Sequence, residues 1–230
     1  MSKVDAARFR YEKKYLIDAE TAQVLKQRLS HVLSPDENGI NGQYHLSSLY
    51  FDDIYNSSLF SKINGVADRD KYRIRFYNGD TNELRLERKS KRGEMVCKDR
   101  SVLGQEHYQM MCSGEYSFMS QESEPVYEMF YTAHLVRSMR PVVMVNYDRH
   151  AFMYPAGDVR ITFDSSITAA NPMSGHSLSV TSGNQIILEV KYSRFIPAVV
   201  TALLSGFQFT QQLALSKFAM SKLALQGVYV

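Results

Sequence analysis

The stretch KYRIRFYNGDTNELRLERKSKRGEMVCKDRSV, from Lys71 to Val102, decides the architecture of this 230-residue chain. Two turn signals, Asn78-Gly79-Asp80 and Lys91-Arg92-Gly93, divide it into three runs. Read with a period of two, Tyr72, Ile74, Phe76, Leu84, Leu86, Met95 and Cys97 fall on one face, and Arg73, Arg75, Arg85, Glu87, Lys89, Lys98 and Arg100 on the other. The spacing predicts a three-stranded meander. An ordinary half-solvated sheet mixes Lys, Glu, Thr, Ser and Gln on its wet face. Here that face is mostly Arg and Lys, and like charges opposite one another destabilise a sheet unless something anionic lies between them. The pattern points to a bound polyanion.

The same alternation recurs outward from this stretch. Strands are expected at about 8–17, 43–51, 71–78, 83–90, 94–102, 142–152, 158–164 and 185–192, and six of the eight put charge on one parity. Helices are expected at 19–33, with Asp18 as N-cap and a stripe of Ala22, Leu25, Leu29 and Val32, and at 54–63, 124–139, 194–205 and 211–226. In the 124–139 segment Val126, Phe130, His134 and Val136 stand near the apolar side, with His134 a packed or partly exposed helix residue rather than a ligand. Asp52 and Asp53 read as a cap for the segment after them. Residues 105–116 give no clear pattern, and 165–184 reads as a loop or irregular excursion.

An open sheet of eight such strands would leave a broad charged face and two exposed edges, whereas closure removes the edges. Helical stripes need an apolar surface to cover, so the apolar parity should face outward and the charged parity inward. The fold class expected is α+β: a closed eight-stranded antiparallel barrel with a charged lumen and helices packed outside. Its lumen would hold Arg10, Lys14, Arg73, Arg75, Arg85, Lys89, Lys98, Arg100, Arg149, Arg160 and Lys191 against Glu12, Glu87 and Glu189. Burying that many cations costs several kcal/mol each without a partner, and phosphate chains supply one. Carboxylates in such surroundings stay ionised and suit a divalent cation bridging to phosphate.

Length and the absence of composition shifts predict one domain over 1–230. A net charge of +3 requires any basic site to come from local concentration. With two cysteines and Cys97 on an apolar parity, no disulfide framework is expected, and a reducing cytoplasm is the expected compartment. No run approaches the roughly twenty apolar residues of a membrane span. Nucleic acid is disfavoured, since a closed tunnel admits no duplex and no aromatics interleave the basic parity.

RYEKKYLI, SLYFDD, KYRIRFYN, ELRLERKSK, CKDRS, YDRHAF, VRITFD, ILEVKY and SKF, in this order over nearly the whole chain, resemble the VTC domain. That domain is the polyphosphate polymerase module of the vacuolar transporter chaperone complex, within the wider triphosphate tunnel (CYTH-like) superfamily. The resemblance implies ATP, triphosphate and polyphosphate as ligands and transfer of the ATP γ-phosphate to a growing chain. It implies catalytic roles for Lys14, Arg73, Arg75, Lys89, Arg100, Arg149 and Glu189, and substrate-binding roles for Arg10, Arg85, Lys98, Arg160, Lys191 and Lys217. It implies Mn²⁺ or Mg²⁺ on Glu189, with Glu12 and Glu87 as further ligands. Relatives are often joined to a phosphate-sensing domain and membrane helices; this sequence shows neither, so a membrane-protein partner is an expectation and the oligomeric state is open. The first strand reads Arg10-x-Glu12-x-Lys14 where the triphosphatases of the superfamily carry Glu-x-Glu-x-Lys, which favours polymerase over hydrolase. A triphosphatase and a non-catalytic polyphosphate-binding module are the alternatives.

Overall fold

The computed structural model describes residues 11–92, 95–207 and 216–228. These residues form ten strands and six α-helices: β1 (Tyr11–Asp18), α1 (Ala19–Ser30), β2 (Ser34–Pro35), β3 (Gln43–Asp52), α2 (Ser57–Ile63), β4 (Arg69–Tyr77), β5 (Asp80–Arg92), β6 (Met95–Leu103), α3 (Gln105–Ser113), α4 (Pro125–Arg137), β7 (Arg140–Tyr154), β8 (Val159–Ala170), β9 (Ser177–Ser179), β10 (Gln185–Tyr192), α5 (Ala198–Leu204) and α6 (Lys217–Ala224). The hydrogen-bonded order is β1-β10-β8-β7-β3-β4-β5-β6, with β2 on β7 and β9 on β8. All eight expected strands are present in an α+β chain. The expected closure is not drawn by hydrogen bonds, because the ladder ends at β1 and β6 and none joins them among the described residues.

Chain contacts group the molecule into two compact units, one of residues 1–45, 147–167 and 181–215, the other of 46–146, 168–180 and 216–230. In the second unit, Asn78 (φ 52°) and Gly79 (φ 73°) make the two-residue turn that pairs Tyr77 with Asp80. Two successive positive φ values match the twist of a tight hairpin, which is why Asn-Gly marks it in sequence. The apolar parity of the meander then forms a core: Tyr72, Ile74, Phe76, Leu84 and Leu86 pack with Leu49, Phe51, Met111 of α3 and Val126, Tyr127 and Phe130 of α4. Asp52 and Asp53 cap α2, as expected. Asp53 Oδ1 accepts from the Ser57 amide at 2.9 Å, and Asp52 accepts from the amides of Ser58 at 2.8 Å and Leu59 at 3.2 Å.

In the first unit, Asp18 Oδ1 accepts from the Thr21 amide at 2.7 Å and starts α1. Ala22, Leu25 and Leu29 are fully buried against Val159, Ile161, Phe163, Leu188, Val190 and Val200. Helix α1 ends at Ser30, earlier than expected, so Leu33 and not Val32 is buried.

Other departures have local causes. Residues 105–116 hide α3, whose polar sequence buries only Met111. Val136 is exposed on α4, and the His134 imidazole packs at 3.0 Å from the Met139 carbonyl, closing that helix end. The expected loop after 164 is instead an extension of β8 to Ala170, paired with β9 through Thr168–Ser179 and Ala170–Ser177. Ile167 and Ala169 continue the buried parity of Val159, Ile161 and Phe163, but Ser165 and Ser166, the latter at φ 54°, interrupt the alternation and hide the extension. Among the described residues, no helix is long and apolar enough to cross a membrane.

Candidate functional site

In the second unit the register decides the electrostatics. Lys71, Lys89 and Lys98 stand side by side across β4, β5 and β6; Arg73, Glu87 and Arg100 form the next row, and Arg75, Arg85 and Val102 the one after. Seven cations thus share three rows with one carboxylate. Glu87 is 2% exposed and takes both Arg73, at 2.6 and 2.7 Å, and the Lys98 ammonium. From β3, Ser48 and Tyr50 lie opposite Arg75 and Arg73. Arg75 Nε donates to Ser48 Oγ at 3.1 Å, and Arg73 donates to the Tyr50 hydroxyl at 3.1 Å. Arg85 approaches Glu83 at 3.6 Å, while Lys89 and Arg100 are exposed on the same face.

These positions shift each other's proton affinity. Burial alone would raise the Glu87 carboxyl, but Arg73, Arg75 and Lys98 outweigh it and hold the group well below the usual carboxylate range. Desolvation of the ammonium end beside Glu87 lowers Lys98 to about 8, although 42% of its side chain remains exposed; Arg73 and Arg75 push the same way and Glu87 opposes them. Burial would raise Tyr50, yet Arg73, Arg75 and Lys217 bring its hydroxyl below the ordinary tyrosine value.

Helix α6 departs from the expectation that every helix lies on an apolar face. Its Phe218 ring sits 5.2 Å from Tyr50, with Lys71 Nζ 4.2 Å from the Phe218 ring centre and Lys222 Nζ 4.0 Å from Asp52. Tyr50 and Lys71 belong to the charged parity, so α6 covers one end of that face. Phe218 is buried against a tyrosine ring and beneath a lysine ammonium, and the helix brings its own cation, Lys217, to bear on Tyr50 together with the arginines.

The first unit builds a different cluster from two Glu-x-Lys pairs, Glu12-Lys13-Lys14 and Glu189-Val190-Lys191. Antiparallel pairing sets Glu12 opposite Lys191 and Lys14 opposite Glu189. Each ammonium contacts both acids: Lys14 lies 3.3 Å from Glu12 and 3.6 Å from Glu189, and Lys191 lies 3.5 Å from Glu12 and 3.0 Å from Glu189. Nearby, Arg149 grips Asp164 with both prongs of its guanidinium, at 2.6 and 2.8 Å. Burial would lower Arg149, but Asp164, Tyr147 and Glu189 keep it well above its usual value. Arg160 pairs with Asp36 and donates to the Tyr44 hydroxyl.

Sequence reasoning therefore missed Asp164, Asp36, Tyr44, Ser48 and Tyr50. Asp164 shares the parity of Arg160 and Thr162, and that alternation was the available signal. Asp36 sits in a loop with no periodicity. Gly42 permits its placement, since φ is +75° and a Cβ there would meet the Ala151 carbonyl oxygen at 2.5 Å. The Asp36 amide donates to that same carbonyl at 3.0 Å, which brings the loop beside β7. Arg10 lies outside the described residues.

The acids allow a limited test of the metal expectation. Among the described residues no three His, Cys, Asp or Glu side chains converge. Glu12 and Glu189 make a pair, and Mg²⁺ or Mn²⁺ shared with phosphate oxygens and water needs only one or two protein carboxylates. The donor set fits a metal held jointly with substrate, and not an all-protein cage.

The family model of the VTC domain matches residues 9–226. No curated protein matches the chain. Among solved structures it is similar to a candidate adenylate cyclase from Bacillus halodurans, with 12% identity over 85% of this chain and 87% of that one and a TM-score of 0.49. It is also similar to the PH1819 protein from Pyrococcus horikoshii OT3, with 15% identity over 94% of this chain and 99% of that one and a TM-score of 0.45. The family match takes in every strand that carries a charged row, and with it this chain belongs to the VTC domain family.

Proposed function

We propose that the chain is a polyphosphate polymerase that moves the γ-phosphate of ATP onto the end of a polyphosphate chain. The observation that carries this reading is the register of β4, β5 and β6, where seven cations flank one carboxylate on adjacent strands. Such rows are stabilised by a ligand with closely spaced negative charges, and arginine forks with lysine point charges suit successive phosphates.

In this reading the whole chain acts as one domain, and the charged parity of each unit's sheet serves phosphate. Arg73, Arg75, Lys89, Lys98, Arg100 and Lys217 hold the chain phosphates, and Arg85 lies at the margin. Lys14, Lys191, Arg149 and Arg160 hold the transferring phosphate's surroundings, the two arginines being fixed in place by Asp164 and Asp36. Glu87 is a counter-charge that keeps the arginines oriented. Glu189, aided by Glu12, would hold Mn²⁺ or Mg²⁺, which when bound neutralises charge on the phosphate oxygens. Phosphoryl transfer needs positioning and charge stabilisation more than a protein nucleophile. The terminal phosphate of the acceptor is already an anion, so no general base is required for attack. ATP as donor fits the cytoplasm.

Incubation with ATP and Mn²⁺, followed by gel separation of long polyphosphate from free phosphate, tests the proposal. Polyphosphate should accumulate, and Glu189→Gln should lose about a hundredfold or more of that turnover while keeping much of its triphosphate affinity when that is measured without metal. Release of free phosphate alone would make the chain a hydrolase, and no turnover of ATP or triphosphate would leave a binding module.

A further inference from the structure

We propose that Lys14 and Lys191 lock the metal-binding carboxylates, so that the divalent cation and the phosphate chain bind in a coupled manner and the metal alone binds poorly. The inference rests on the assignment of Glu12 and Glu189 given above. Its basis is the alternating quartet: two Glu-x-Lys pairs, antiparallel and in register, with each ammonium within 3.6 Å of both carboxylates. Two acids and two ammoniums compensate each other, and the quartet is largely withdrawn from water, Glu189 being 5% and the other three side chains 23–25% exposed. A divalent ion entering between the carboxylates would meet two ammoniums, with the Arg149 guanidinium also close enough to interact with Glu189. At partly buried separations of this kind, like-charge repulsion is screened far less than in water.

Phosphate resolves the conflict. Lysine is a compact charge on a flexible four-carbon stem, so each ammonium can swing from a carboxylate to a phosphate oxygen without moving the backbone. Once Lys14 and Lys191 are on the anion, Glu12 and Glu189 are released to face the metal. By linkage the effect is reciprocal: phosphate tightens metal, and metal tightens phosphate, by a factor of about 5–150 for couplings of ordinary size. A protein that holds its metal only with substrate would not carry a firmly bound ion between turnovers.

The test removes the lysines and leaves phosphate out altogether. Manganese paramagnetic resonance would count free Mn²⁺ during titration of the wild-type protein, Lys14→Met/Lys191→Met, and Glu12→Gln/Glu189→Gln, in buffer without nucleotide or phosphate. The double lysine variant should bind one Mn²⁺ at least about tenfold more tightly than wild type, and the glutamine variant should bind none at the site. Equal affinity in wild type and lysine variant overturns the lock, as does tight wild-type binding that survives loss of both glutamates. Circular dichroism checks folding, and single Lys191→Met, which retains half of the quartet's ammoniums, gives the same comparison should the double variant not fold. Because no phosphoryl group is present, failure of the lock is distinguishable from failure of the polymerase reading, which the gel assay decides separately.

Discussion

Lys98 sits where two opposite demands meet. It faces Glu87 from β5, Arg73 and Arg75 from β4, and Lys89 and Lys71 in its own row, and burial with the two arginines lowers it to about 8. The unfolded chain would hold that proton to an ordinary lysine value, so the free fold gains stability as pH rises from about 8 toward the unfolded value. Anion binding has the opposite sign, because a bound phosphate favours the charged ammonium. Triphosphate affinity should therefore fall as pH passes through 8, by at most tenfold per unit for one proton. Calorimetric titration at pH 7, 8 and 9 with the wild type and Lys98→Arg tests this, the arginine holding its charge throughout and cancelling the ligand's own ionisation. Parallel pH profiles for the two proteins would remove Lys98 from the binding face.

At the level of elements, the alternation of β1, β4, β5 and β10 was legible because each strand buries one parity against α1, α3, α4 or α5 and sets the other beside charges. The Asn78-Gly79 turn and the Asp18 and Asp52 caps were legible because single residues with special backbone or acceptor roles announce them. Helix α6 lies within the helix expected at 211–226, but its seat was not legible, since a helix that covers a charged face lacks the clean stripe that would show where it packs. The partners of Arg149 and Arg160 were not fully legible either; Asp36 depends on a loop fold that a glycine with positive φ permits. Phe218 tests the role of α6. It is 1% exposed between Tyr50 and Lys71, so Phe218→Ala should destabilise the protein by about 3 kcal/mol from lost burial and the cavity left behind. Phe218→Leu should recover most of that stability in urea unfolding. If α6 serves the phosphate site through Lys217, triphosphate affinity should fall in the alanine variant and return with leucine, at a temperature where both are folded. An alanine variant with full affinity would confine α6 to a structural part.

For the whole molecule, a net charge of +3 conceals how unevenly the charge is placed. The rows of β4 to β6 raise the free energy of the folded state when no anion lies along them, whereas in the expanded chain the same cations are far apart and solvated. An anion that binds the fold alone stabilises it by mass action, about 2.7 kcal/mol at one hundred times its dissociation constant. For a chain of this size each kcal/mol raises the melting temperature by about 2–4 °C, so a saturating ligand should shift it by about 5–10 °C. The order of ligands carries the information. Successive cationic rows repeat at every second residue of a strand, about 6–7 Å apart, so an extended anion that reaches across rows, triphosphate or longer polyphosphate, should exceed orthophosphate and sulfate at equal charge concentration. Added salt should weaken the shift, but less than it weakens contacts with fully exposed charges, because Arg73, Arg75 and Glu87 are shielded from solvent. A single-stranded oligonucleotide of equal charge should give a smaller shift, since its charges are spaced by sugars and the face offers few exposed rings for bases. Scanning calorimetry with these ligands at two salt concentrations checks the order; equal shifts for orthophosphate, oligonucleotide and polyphosphate would reduce the face to a general anion surface, and no shift with any of them would leave its seven cations without a ligand.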